Sequence, residues 1–188
     1  MRNVSGRAGE DSLVAAARAG SREAFGELVE RFAGPLLGFL ALRARCVEDA
    51  EELVQETFLR AWRNLDRYDP RWRFSTWLFT VGRRITVSRY RRAEAESGPA
   101  PEVVAGDDPL DAASAAELRD NLWALAERLL SPVARQALWL RYVDGLGVRE
   151  IARVLGRREA TVRVMLFRAR ERLAPHLEPH VRPMEVRP

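Results

Sequence analysis

The chain has 188 residues, 47% of them hydrophobic and 31% charged, which is enough apolar material for one medium or two small folded domains and too much for a disordered tail. Its formal charge is +4, and because lysine is absent all 31 basic residues are arginines. A single cysteine, Cys46, excludes an internal disulfide framework and a cysteine-only zinc site, and the two histidines, His176 and His180, leave little for histidine-based catalysis.

The predicted elements are helices throughout. Met1 to Glu10 is polar and lacks the apolar stretch of a signal peptide. Leu13, Val14 and Ala17 open a short helix that Gly20 can end, and Ser21 can cap the next. That second helix carries Phe25, Leu28, Val29 and Phe32, then Leu36, Leu37, Leu40 and Ala41, with Pro35 expected to kink or break it. Gly34 to Leu42, the longest apolar run, falls far short of the ~20 residues that span a bilayer, so no stable membrane association and a cytoplasmic location are expected.

Ala50, Leu53, Val54, Thr57, Phe58, Ala61 and Trp62 form one face of a third helix. Tyr68-Asp69-Pro70 marks a turn, and a fourth helix begins near Ser75 with Phe74, Trp77, Leu78, Val81 and Ile85 inward. Ala93 to Pro109, with Ser97-Gly98-Pro99-Ala100-Pro101 and Gly106-Asp107-Asp108-Pro109, reads as a flexible acidic linker. A helix from Asp111 to about Leu130 follows, then one capped by Ser131-Pro132 and ended by Asp144-Gly145, then Val148 to Leu155 and about Ala160 to Leu173. No sustained period-2 alternation or hairpin signal occurs, so the fold class is all-α. Two small helical domains are expected, at 11–92 and 110–174, joined by the 93–109 linker.

Charge is segregated along this plan. Val47 to Leu59 holds Glu48, Asp49, Glu51, Glu52 and Glu56 without an arginine, whereas Asn64 to Arg92 and Arg141 to Arg172 are strongly basic. Two basic blocks around an acidic connector suit two contacts with a polyanion, and equally suit ordinary solvated helices.

In the last two helices Ala152 is small where the helices must cross, Gly156 permits a left-handed turn, and Val162 plugs the wedge between them, as in a helix-turn-helix. The outer face would present Glu159, Arg163, Val164, Phe167 and Arg168 to a major groove. On the third helix Glu52, Gln55, Glu56, Leu59 and Arg63 share a face, with the apolar Leu59 framed by acids; this suits docking of a basic protein helix, or simple solvation. Between the third and fourth helices aromatics alternate with arginines, as Arg67, Tyr68, Arg71, Trp72, Arg73 and Phe74. Phe74 and Trp77 belong to the apolar stripe. Trp72 lies off it, either as a stacking platform for an unpaired base or as a lid over the core. Pro175 and Pro179 break the helix that would align His176 with His180, so no metal site is expected.

Four stretches, taken in order, closely resemble the extracytoplasmic-function sigma factors of bacterial RNA polymerase. They are Asp49 to Phe58 (DAEELVQETF), Phe74 to Leu78 (FSTWL), Leu140 to Leu146 (LRYVDGL), and Glu150-Ile151-Ala152 with Leu155-Gly156 and Thr161-Val162. The resemblance implies a non-catalytic specificity subunit without cofactor or metal. Its first domain would bind core polymerase through Asp49, Glu52, Gln55, Glu56 and Leu59, and the minus-ten promoter element through Arg67, Arg71, Trp72, Arg73, Arg83, Arg84, Arg89 and Arg91. The second would read the minus-thirty-five element with Arg157, Arg158, Glu159, Thr161, Arg163, Val164, Phe167 and Arg168. Core polymerase and promoter DNA are the implied partners, with an anti-sigma factor as a further one. Elements roughly 25 base pairs apart lie about 85 Å apart, and the linker reaches at most about 60 Å, leaving the two domains to cover the rest. The chain departs from the family pattern at Arg84 and Ser88, where Asn and Asp are usual, at Arg158, where a Ser cap is usual, and at Val164 and Met165, where polar or basic residues are usual. A stand-alone helix-turn-helix regulator is the alternative, but it leaves the Asp49 to Phe58 motif and the Arg67 to Phe74 loop without a role.

Overall fold

The computed structural model describes residues 5–97 and 115–177. The helices are α1 (Ser5–Arg18), α2 (Arg22–Ala41), α3 (Val47–Arg63), α4 (Phe74–Ser97), α5 (Ala115–Leu129), α6 (Pro132–Tyr142), α7 (Val148–Leu155) and α8 (Glu159–Leu177), with a 3-10 turn at Leu65–Arg67 between α3 and α4. No strand occurs among the described residues.

Local chemistry sets several of the boundaries. The Ser21 hydroxyl accepts the Ala24 N–H at 3.1 Å and starts α2, and the Ser131 hydroxyl does the same for Ala134 at the start of α6. Gly156 adopts φ +57° at the end of α7, a left-handed turn that a Cβ would strain.

Helices α1 to α4 share one core. Leu28, Phe32, Leu36, Phe39 and Leu40 of α2 meet Leu53, Phe58 and Ala61 of α3 and Phe74, Leu78, Phe79 and Ile85 of α4, all buried. Phe39 stacks obliquely on Phe79 at 5.1 Å and Phe32 on Phe74 at 5.5 Å. At Gly82 a Cβ would lie 3.1 Å from the Thr57 hydroxyl and 3.3 Å from Leu40, so glycine lets α4 cross α2 and α3 closely. In the C-terminal half Leu140 and Leu146 pack with Ile151, Ala152 and Leu155 of α7 and Val162, Leu166, Ala169 and Leu173 of α8. The small Ala152 and the fully buried Val162 occupy the places the helix-turn-helix pattern assigns them.

Four boundaries differ from the sequence expectation. Helix α2 passes Pro35 unbroken, because one continuous buried stripe from Leu28 to Leu40 outweighs the single backbone bond that proline removes. Helix α1 starts at Ser5 rather than near Leu13, and its Glu10 is buried, accepting the Phe74 N–H at 2.8 Å. Helix α4 runs on to Ser97, through the helix-forming Ala93-Glu94-Ala95-Glu96, into the segment expected to be linker. Helix α8 continues past Pro175 to Leu177. The rest of the expected linker, the start of the helix predicted from Asp111, and His180 lie outside the described residues.

Candidate nucleic-acid interface and docking surface

The exposed side of α3 carries Glu52, Gln55 and Leu59, with Glu56 half-buried beside them. Leu59 is 57% exposed and stands on the rim of an apolar groove of about 640 Å³ between α2 and α3, lined by Phe25, Val29, Val54, Phe58 and Trp62. Phe25 and Trp62 pack at 4.9 Å and form its wall. Arg22 and Gln55 are its polar lining, and Glu56 lies in a separate cleft on the α4 side of α3 beside Arg89; a groove of this make-up fits the apolar face of an amphipathic helix.

Asp49 is placed differently from its neighbours. Its Oδ1 accepts from Arg89 at 2.9 Å, and its Oδ2 accepts the Arg45 N–H at 3.1 Å and the Tyr90 hydroxyl. Burial opposes ionisation of Asp49, but these hydrogen bonds outweigh it and hold the carboxyl below its ordinary range. Burial and donation to Asp49 push the Tyr90 hydroxyl well above its own range. Arg89 also bonds Glu52 at 3.2 Å and Glu56 at 3.3 Å, so one guanidinium ties α4 to three carboxylates of α3. Asp49 thus serves the α3–α4 junction, and Arg89, expected on the DNA surface, is engaged within the chain.

The other arginines expected at the minus-ten element lie on the loop and α4. Arg67, Arg84 and Arg91 are exposed, and Arg71 is exposed but forked onto Asp69, with bonds of 3.0 and 2.7 Å. Tyr68 is buried and its hydroxyl donates to the Trp72 carbonyl at 2.7 Å, which fixes the loop over the core. The Trp72 ring is half-buried beneath α7: the guanidiniums of Arg153 and Arg149 lie 4.5 and 5.1 Å from its centroid. Arg83 is partly buried and less basic than usual, first through burial and then through the nearby Arg43, Arg157 and Arg84.

Helix α7 packs against α4, bringing together groups far apart in sequence. The Thr76 hydroxyl donates to Glu150 Oε1 at 3.0 Å, while Glu150 Oε2 accepts the Gly147 N–H at 2.9 Å at the start of α7. Asp144, in the turn before α7, is pushed up to about 7 by burial; Arg73 and a hydrogen bond from Ser75 work against this, and Glu10 and Glu150 work with it. A carboxyl whose folded value is raised binds its proton more tightly in the folded chain. Its stabilising effect is complete below about pH 4, fades as pH rises toward 7, and is gone above it. Asp144→Asn should therefore flatten the fall in melting temperature between pH 5 and 7.5 and raise the value at the upper end by roughly 5 °C. Identical slopes for variant and parent in a calorimetric pH series would contradict that placement.

On α8, Arg163, Val164, Phe167 and Arg168 are exposed, with Glu159 at the first turn bonded to Arg163 at 3.1 Å. Arg157, Arg158 and Thr161 are exposed around the turn, so the expected reading face is assembled on one side of the second helix of the pair. Glu10, Asp144, Glu150, Arg149 and Arg153 were not among the predicted site residues.

A helical unit with an arginine-rich loop, followed by a helix-turn-helix with an open basic face, defines a two-part DNA-binding protein. Residues 28–96 match sigma-70 region 2 and residues 125–173 match sigma-70 region 4. The chain is 33% identical over 172 residues to the ECF RNA polymerase sigma factor BldN of Streptomyces coelicolor, covering 86% of this chain and 63% of BldN. It is 30% identical over 185 residues to the RNA polymerase sigma-H factor of Pseudomonas aeruginosa, covering 92% of this chain and 96% of that protein. CnrH, solved in complex with the cytosolic domain of CnrY, matches with a TM-score of 0.65 and 28% identity over 92% of this chain and 99% of that one. The chain belongs to the extracytoplasmic-function sigma factors of the sigma-70 family.

Proposed function

We propose that the chain docks on core RNA polymerase through the apolar groove of α2 and α3 together with the acidic face of α3 beside it, and directs it to promoters. Glu52, Gln55, Glu56 and Leu59 make the dock. The loop from Arg67 to Arg73 and the basic face of α4 hold the minus-ten element, with Trp72 as the platform for an unstacked base, a contact worth about 1–3 kcal/mol. The N-terminal part of α8 reads the minus-thirty-five element, Arg163 and Arg168 supplying charge and hydrogen bonds and Val164 and Phe167 apolar contacts to the base edges. The polymerase supplies the chemistry and this chain the address, so it carries out no reaction of its own and works in the cytoplasm. No described helix is long and apolar enough to cross a membrane. An anti-sigma factor covering the same groove is the natural antagonist.

The observation that carries the reading is an exposed leucine, Leu59, at the mouth of an apolar groove and next to the acidic face of α3, on the same domain as the arginine-aromatic loop. A helix-turn-helix regulator acting alone has no use for that groove. Purified chain mixed with core polymerase should give promoter-directed run-off transcripts from a genomic fragment library, and should bind duplex promoter weakly without the polymerase. Tight operator binding by the chain alone, with no effect of polymerase, would favour the stand-alone regulator. Arg163→Ala should cut transcription from promoters with a minus-thirty-five element about tenfold, one or two lost base or phosphate contacts, and leave polymerase binding unchanged. An equal loss of polymerase binding would contradict the division of labour.

A further inference from the structure

Four arginines meet where the turn after α2, the middle of α4 and the turn between α7 and α8 come together. Arg83 of α4 places its Nη1 3.7 Å from where a Gly156 Cβ would lie, so its guanidinium sits against the α7–α8 turn. The charges that act on it are those of Arg43, Arg157 and its neighbour Arg84. Arg43 and Arg83 are half-buried, and the Arg43 Nε is enclosed without a partner, whereas Arg84 and Arg157 are open to solvent. Among the described residues no carboxylate pairs with any of the four. Arg60, Arg71, Arg89, Arg135 and Arg163, by contrast, each have one.

Like charges so placed repel, and Arg43 and Arg83 have lost part of their hydration as well. The adjoining C-terminus of α7 offsets only about half of one charge. The amides of the turn are closed to a ligand, because the Gly156 and Arg157 N–H groups bond back to Arg153 and Ala152 of α7. What would complete this arrangement is a compact anion of high charge, held by guanidiniums alone.

We propose that Arg43, Arg83 and Arg157, with Arg84 at the rim, form a binding site for an oligophosphate group, as carried by inorganic pyrophosphate or a nucleoside polyphosphate. Guanidinium forks match phosphoryl oxygens in pairs, two N–H groups to two oxygens. One phosphoryl group, at about −1.5 to −2, leaves half of the four charges unanswered, whereas two adjacent groups neutralise most of them. A nucleic-acid backbone fits less well, since it carries one charge per phosphate strung along the strand and cannot concentrate charge at the recessed Arg43. The site shares Arg83, Arg84 and Arg157 with the DNA surfaces of the proposed function, but it does not rest on that reading.

Isothermal titration calorimetry on the full chain tests this, in magnesium-free buffer of fixed ionic strength with sodium pyrophosphate as the probe. Pyrophosphate should bind at least tenfold more tightly than monophosphate or sulfate. Arg43→Gln and Arg157→Gln should each weaken it at least tenfold, one lost charge-assisted contact. Arg170→Gln, which removes an exposed charge elsewhere on α8, should leave it unchanged. Without ligand, Arg43→Gln should melt at or above the parent temperature, because it relieves repulsion; an arginine that served only packing would lower it. Adenosine and guanosine diphosphates run alongside identify the source. Affinity equal to or below that of pyrophosphate marks an inorganic ligand, and a further tenfold gain marks a nucleotide. Pyrophosphate no tighter than sulfate, or an equal loss in Arg170→Gln, would overturn the site. If Arg43→Gln weakened a random-sequence duplex but not pyrophosphate, the cluster would belong to the nucleic-acid backbone instead. Neither polymerase nor promoter enters the pyrophosphate titration, so its failure leaves the proposed function standing.

Discussion

Leu59→Asp should abolish association with core polymerase, a loss of at least 100-fold, while leaving the melting temperature within about 2 °C of the parent. Leu59 is more than half exposed and takes no part in the core, so the folded chain loses nothing by the change. In a docked complex the same position is central. Burying a leucine there contributes about 1.5–3 kcal/mol, and forcing an unpaired carboxylate into the apolar groove beside Phe25, Phe58 and Trp62 costs at least as much again. Together these exceed the roughly 3 kcal/mol that a 100-fold loss represents. The added negative charge does not rescue binding, because Glu52 and Glu56 on the neighbouring face of α3 already supply attraction for a basic partner, acting through water. Native gel shift or fluorescence titration against purified core reads the outcome. Parental affinity would mean that the face is merely solvated.

The Arg89 cluster sets limits on how that dock works. In the proposed dock Glu52 and Glu56 would meet a basic partner while already sharing Arg89, so part of their charge is spent inside the chain. This leaves the groove, rather than the charges, to supply most of the affinity, and it makes Leu59 the more decisive substitution.

Much of this arrangement was legible in the sequence, where the signal is local. The stripe from Ala50 to Trp62 fixes both the buried face of α3 and, by subtraction, the exposed set that includes Leu59. Ala152, Gly156 and Val162 mark the helix-turn-helix because each answers to a local demand: a close crossing, a positive φ, a wedge. Pro35 misled because its local cost is certain, whereas the burial that offsets it depends on partners in α3 and α4. Glu10 was hidden in a stretch that looks like a polar tail, and its partner, the Phe74 N–H, lies 64 residues away. Thr76 and Glu150 are 74 residues apart, and Arg89 meets Asp49 across 40. No periodicity records such pairings. An arginine counted as free for DNA is, in sequence, indistinguishable from one paired across the fold.

Phe74→Ala should produce the largest loss of stability in the chain, about 3–5 kcal/mol. The ring is fully buried and stands where the loop enters α4, 5.5 Å from Phe32, 5.9 Å from Tyr68 and 5.8 Å from Trp77. Truncation removes the contacts of all three aromatics at once, and a helix start held by Glu10 on one side cannot slide to close the cavity. Urea titration should show the midpoint falling with little change in slope, which marks lost stability rather than a changed unfolded state. Phe74→Leu, which keeps most of the volume, should retain more than half of the lost stability. The consequence for function follows from Tyr68, whose ring rests on Phe74 and whose hydroxyl holds the Trp72 carbonyl. At a temperature where the variant is still folded, promoter opening should decline more than polymerase binding, because the dock on α2 and α3 does not include Phe74 whereas the loop is braced on it. A midpoint shift worth less than about 1 kcal/mol would mean that the ring is not the brace the packing implies.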